Sequence, residues 1–102
     1  MKKIIFLLFI FLSTSVYANK FQTNAQGVYM KNFSCTGGMA GFNIVNKSLK
    51  DVKSITVIVY DSDNDPIDSA TKYVYVESGS GMRAAVFIDC ANSKSIGFKV
   101  IQ

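Results

Sequence analysis

The chain has no histidine. The side chain most often used as a general base at neutral pH is therefore missing, as is the usual nitrogen ligand of zinc. There are two cysteines, Cys35 and Cys90. Two thiolates alone are too few for a zinc site, and their spacing is not the Cys-x-x-Cys of a thioredoxin-like redox centre. Basic residues form no dense patch. Beyond Ala18, nine scattered Lys/Arg face seven Asp/Glu, a net charge of +2. A nucleic-acid surface needs a basic patch or stripe, so no nucleic-acid partner is expected. The apolar run Ile4–Leu12 has nine residues, against the about 20 of a membrane span, so no membrane span is expected. Helical periodicity, internal repeats and low-complexity tails are also missing.

What is present begins with a leader. Met1-Lys2-Lys3 is a basic start, "IIFLLFIFL" is its apolar centre, and Val16-Tyr17-Ala18 has small residues where signal peptidase reads. This predicts a signal peptide over residues 1–18, cleaved after Ala18, and a periplasmic or secreted protein. No cysteine follows the apolar run, so no lipid anchor is expected. In an oxidising compartment the two cysteines predict a structural disulfide. A chain of this size has a small core, and the bond would be a large part of its margin.

From Gly27 onward the chain is rich in Val, Ile, Tyr and Phe, broken at short intervals by Gly, Asn, Asp and Ser. That pattern predicts an all-β sandwich over residues 27–102, with residues 19–26, "NKFQTNAQ", polar and flexible. Six strands are expected. They are Val28–Cys35, Met39–Val45, Ile55–Tyr60, Ile67–Glu77 (firmest from Thr71), Met82–Cys90 and Ile96–Ile101. "ITVIVY" is apolar on both faces, which predicts a central strand covered on both sides.

The stretch "YDSDNDP" carries Asp61, Asp63 and Asp65 at alternate positions. They match the first half of an EF-hand loop. Pro66 then stands where the sharp-turn glycine belongs, and Lys72 where the bidentate glutamate belongs. The residues predict a turn, with weak calcium binding as the alternative, and no cofactor is expected. Ser62, Ser78 and Ser80 read as turn residues without a base, so no enzyme is expected. Asn32-Phe33-Ser34 and Asn46-Lys47-Ser48 are sequons that matter only in a eukaryotic secretory pathway. In "KYVYVE", Tyr73 and Tyr75 share a face. Either they pack on a neighbouring strand or they form an aromatic strip for a protein partner. Open sheet edges can pair with another chain. Turns at Gly37-Gly38 and Gly79–Gly81 could permit strand exchange between two copies, giving a homodimer.

The runs "GFNIVNKS", "VKSITVIVYDSDNDPID" and "GSGMRAAVF" resemble the FxLYD-type immunoglobulin-like modules of exported bacterial proteins. In those, a strand ending in Asn-x-Ser precedes an alternating strand ending in Tyr-Asp, then an acidic turn and a glycine-containing turn. Here Ser78-Gly79-Ser80-Gly81 replaces the usual Pro-Gly, and the cysteine pair is additional. The whole chain is also similar to small secreted fibronectin-III-like proteins of the interleukin-receptor-mimic kind. That resemblance implies a strand-swapped dimer and cytokine binding. The expected function is an exported, non-enzymatic protein-binding module acting through a strand edge and Tyr73 and Tyr75. The alternative is an assembly subunit of a surface or envelope complex.

Overall fold

The computed structural model describes residues 20–102. The expected leader, residues 1–18, lies outside them. Seven strands follow one another: β1 (Lys20–Gln22), β2 (Val28–Thr36), β3 (Met39–Asn46), β4 (Val52–Tyr60), β5 (Pro66–Val76), β6 (Gly81–Phe87) and β7 (Ser95–Ile101). They form a four-stranded sheet, β1-β2-β3-β6, packed on a three-stranded sheet, β5-β4-β7. All strand pairs within the two sheets are antiparallel. The fold is the expected all-β sandwich with one disulfide. Among the described residues no helix is long and apolar enough to cross a membrane.

The core follows from alternation. Val28 and Met30 of β2, Ala40, Phe42 and Ile44 of β3, Val57 and Val59 of β4, and Phe98 and Val100 of β7 are buried between the sheets. Successive strand side chains point to opposite faces, so every second residue enters the core. Phe98 is the aromatic bridge across the interior. Its ring lies 5.4 Å from Phe21, 6.3 Å from Phe33 and 5.2 Å from Phe42, in edge-on orientations. Those three rings belong to the other sheet. Tilted pairs at this spacing add stabilisation beyond the area they bury.

Four expectations need correction. Residues 20–26 are not a loose tail. Phe21 joins the core, β1 pairs with β2, and Thr23 bridges to Phe98 of β7. Asn24 then mimics a strand residue. Its Nδ2 donates to the Val100 carbonyl at 3.2 Å and its Oδ1 accepts from the Val100 amide at 2.7 Å. β5 begins at Pro66, ahead of both expected starts. Cys90 does not end a strand. β6 stops at Phe87, and Cys90 sits in the crossover to β7. β4 is central, as expected, but covered on one face only. Thr56, Ile58 and Tyr60 on the outer face remain half-exposed.

Candidate functional site

Cys35 and Cys90 are bonded to each other, with Cα atoms 6.1 Å apart and a separation of 55 in sequence. Cys35 is on β2 and Cys90 is in the β6–β7 crossover. The bond pins the segment that carries the chain from one sheet to the other.

The aspartates form a turn. Asp61 Oδ1 accepts the amides of Asp63 at 2.9 Å and Asp65 at 3.0 Å. The Asn64 amide reaches the Asp61 carbonyl at 3.0 Å, with Asn64 at φ 65°. One oxygen from each of Asp61, Asp63 and Asp65 lies within 4.8 Å of the others. Three carboxylates, those of Asp63 and Asp65 exposed and that of half-buried Asp61 already committed to two amides, are far from the six to eight oxygens calcium takes.

The tyrosines occupy the edge of the three-stranded sheet. β5 pairs with β4 on one side only. Tyr73 is 85% exposed and Tyr75 57% exposed. Tyr73 stands opposite Ser54, a small buried side chain that does not cover the ring. The two tyrosines differ. Tyr75 donates its hydroxyl to Asp51 Oδ2, and Asp51 Oδ1 accepts the Ser78 amide at 2.9 Å. The tyrosine hydrogen bond holds the Asp51 carboxyl below its ordinary 3.8, and the Asp51 carboxylate pushes the Tyr75 hydroxyl above 10.0. The sign follows. Asp51, depressed in the folded state, contributes stability present above its unfolded value and lost as pH falls through the folded one. Tyr75, raised, contributes stability present below pH 10.0 and lost as pH climbs beyond it. Tyr75→Phe should therefore move the Asp51 carboxyl titration, read by NMR, upward toward 3.8. An unmoved titration would contradict the assignment.

The β5 edge is partly blunted. Asp68 Oδ1 accepts the Ser69 amide at 2.9 Å, and its Oδ2 accepts the Asp89 amide at 3.0 Å. Lys72 Nζ reaches across to the Ala85 carbonyl of β6 at 3.1 Å. Register shifts at both ends bend the strand away from straight pairing. These are the devices by which edge strands resist chain-to-chain pairing. The ring face of Tyr73 is left open.

Three groupings are not evident from the sequence pattern. Asn46 of the second sequon is fully buried, and its amide group is saturated. Gly41, Asn32 and Arg83 meet on the outer face of the four-stranded sheet. A Cβ at Gly41 would stand 2.8 Å from Arg83 Nη2. Met39 and Phe87 are paired in register on that same face and exposed, at 41% and 81%. A bulge at an Asn-Phe-Ser run and a glycine inside a strand were the available signals.

No family model matches the chain, and no curated protein matches it. Among solved structures, a DUF1425 family member from Shewanella sp. pv-4 is similar, with a TM-score of 0.50 and 14% identity over 81% of this chain and 86% of that one. This likeness concerns the β-sandwich fold alone.

Proposed function

We propose that the protein is an exported, non-enzymatic protein-binding module whose contact surface is the outer face of the three-stranded sheet at the β5 edge. The observation that carries this reading is Tyr73, 85% exposed with only Ser54 opposite it. Tyrosine brings large contact area at little cost in side-chain freedom and is enriched at interface centres. Ile67, at 44% exposed, lies farther along the same strand, with the polar Ser69 and Thr71 between it and Tyr73. The disulfide fits an oxidising compartment, and the likeness to FxLYD-type and fibronectin-III-like modules fits a recognition role. Nothing about the acidic turn suits catalysis, because exposed carboxylates solvate rather than tune one another.

A photo-crosslinking amino acid at position 73, in the producing cell, tests the reading. The expected result is one discrete adduct, absent when the crosslinker is placed at Leu49 and competed away by wild-type protein but not by Tyr73→Lys. Adducts at both positions, or at neither, would overturn it. The 11-residue length of β5 favours a second reading, an assembly subunit joined edge to edge. Light scattering separates the two. A fixed-size dimer fits strand exchange, open-ended growth fits assembly, and a monomer leaves the tyrosine face as the free binding surface.

A further inference from the structure

The two sheets have four edge strands, and three of them are closed to further pairing. β1 is three residues long. The free side of β7 is taken by residues 23 and 24. Thr23 bridges to Phe98, and the Asn24 side chain holds both the amide and the carbonyl of Val100. β5 opens on Pro66, carries register shifts, and turns Asp68 and Lys72 to its inner face, opposite buried Val59 and Ile55. Short strands, bulges and inward charges are the means by which edges avoid pairing.

β6 differs from all three. It ends its sheet, and its seven residues pair with β3 without a register shift and include no proline. Its single charge is drawn back from the edge. Arg83 Nη1 donates to the Asn32 carbonyl at 2.9 Å and to Asn43 Oδ1 at 3.2 Å, and Nη2 lies over Gly41 and against Ser34. Those four residues are on β2 and β3. In an antiparallel ladder the amide and carbonyl of one residue point to the same side, and the side alternates along the strand. The Ala85 carbonyl accepts Lys72 Nζ of β5 at 3.1 Å, while the Ile88 amide reaches back to the Gly38 carbonyl at 3.0 Å. Arg83, Ala85 and Phe87 therefore turn their backbone groups away from β3, to a side with no strand beside it. Lys72 on the Ala85 carbonyl is the one guard there among the described residues.

We infer that β6 pairs antiparallel with β6 of a second copy of this chain, about a two-fold axis at Ala84. The strand is complementary to itself in that register. Arg83 and Ala85 of the two copies exchange amide-to-carbonyl bonds. Gly81 stands opposite Phe87, and Met82 opposite Val86. Phe87, 81% exposed, then lies on the bare backbone of a glycine. Met82, 40% exposed, gains an apolar cross-strand neighbour. Small side chains at the centre, Ala84 and Ala85, let the strands approach. A shift by two positions one way sets Arg83 against Arg83 of the copy. The same shift the other way leaves Gly81 and Met82 without partners. The two-fold closes the assembly at two copies, because the joined sheet then ends on the short β1 at both sides. Tyr73 is on the outer face of the other sheet and stays open in this dimer, so the inference does not rest on the Tyr73 reading.

The test is sedimentation equilibrium of the mature protein at concentrations up to about 1 mM, where a weak specific pairing still registers. A monomer–dimer equilibrium with no larger species is expected. Ala85→Pro removes an amide that β3 does not use, at a place where an edge strand tolerates proline. It should weaken dimerisation by more than about tenfold while the circular dichroism stays native. Phe87→Lys should weaken it as well. Lys72→Ala frees the Ala85 carbonyl and should tighten it several-fold. Tyr73→Lys should leave it unchanged. A strand-exchanged dimer remakes the contacts within one sandwich and would survive both β6 variants. Four results would overturn the inference: a monomer throughout, open-ended growth, a dimer indifferent to Ala85→Pro and Phe87→Lys, or a dimer abolished by Tyr73→Lys.

Discussion

Replacing Cys35 and Cys90 together by alanine is expected to lower the unfolding free energy by about 4 kcal/mol. The bond closes a loop of 55 residues, and the unfolded chain gains the freedom that this closure removes. A described domain of about 80 residues has in total about 4–12 kcal/mol, so the loss takes a third or more of the margin. The position adds a local effect. The Ile88 amide bonds to the Gly38 carbonyl at 3.0 Å, and the Ser93 amide reaches the Cys90 carbonyl at 3.3 Å. The crossover between the sheets is thus held by the burial of Ile88, a few hydrogen bonds and the disulfide. Hydrogen exchange should rise first over residues 88–94 in the variant. A denaturant midpoint shifted by the equivalent of less than about 1 kcal/mol, or thiols that titrate in the native protein, would refute this account.

Asn46→Asp is expected to cost about 3 kcal/mol, although it exchanges one amide NH2 for an oxygen. Asn46 sits where the chain leaves the four-stranded sheet. Its Nδ2 donates to the Lys50 carbonyl at 2.8 Å and the Val76 carbonyl at 3.0 Å. Its Oδ1 accepts from the Ser48 amide at 3.0 Å and the Ser48 hydroxyl at 2.6 Å. The backbone is used as fully, with the amide on Ser80 at 2.9 Å and the carbonyl on Gly79 at 2.8 Å. One residue therefore ties β3, the β3–β4 loop, the end of β5 and the β5–β6 turn. A carboxylate there sets a buried negative oxygen against two carbonyl oxygens, and burial raises its pKa. The variant should lose stability as pH rises through that value and recover part of it in acid, where the protonated group again supplies one donor. Urea melts at two pH values check this. An equal loss at both, or none, would show that the carbonyls find other donors. The same burial means this sequon offers no free side-chain amide.

Much of the architecture is legible in local pattern. Alternation in "AGFNIV" places Phe42 and Ile44 inside, because a strand's period of two depends only on the strand itself, whereas "ITVIVY" is apolar on both faces and only the packing of the sheets selects Val57 and Val59 as its inner side. The cysteine pair is legible for the same kind of reason, since parity and compartment suffice. β1 is not. "KFQTNAQ" has one large apolar residue, Phe21, and its Lys20–Gln22 becomes a strand because β2, Phe98 and Val100 supply partners from distant sequence.

The candidate surfaces divide the same way. That Tyr73 and Tyr75 share a face is a local fact. That β5 lies at an edge, with Ser54 beside Tyr73 and Asp51 beside Tyr75, depends on which strands pair. That β6 is an edge, with Arg83 drawn back from it over Gly41, holds only once β2, β3 and β6 are in register and the Asn32 bulge has absorbed one residue. By itself, then, the sequence determined an all-β domain, the inward face of its alternating strands and its single cross-link. Tertiary structure alone decided which faces stay open, because exposure is set by sheet order and register, and those come from contacts between residues far apart in the chain.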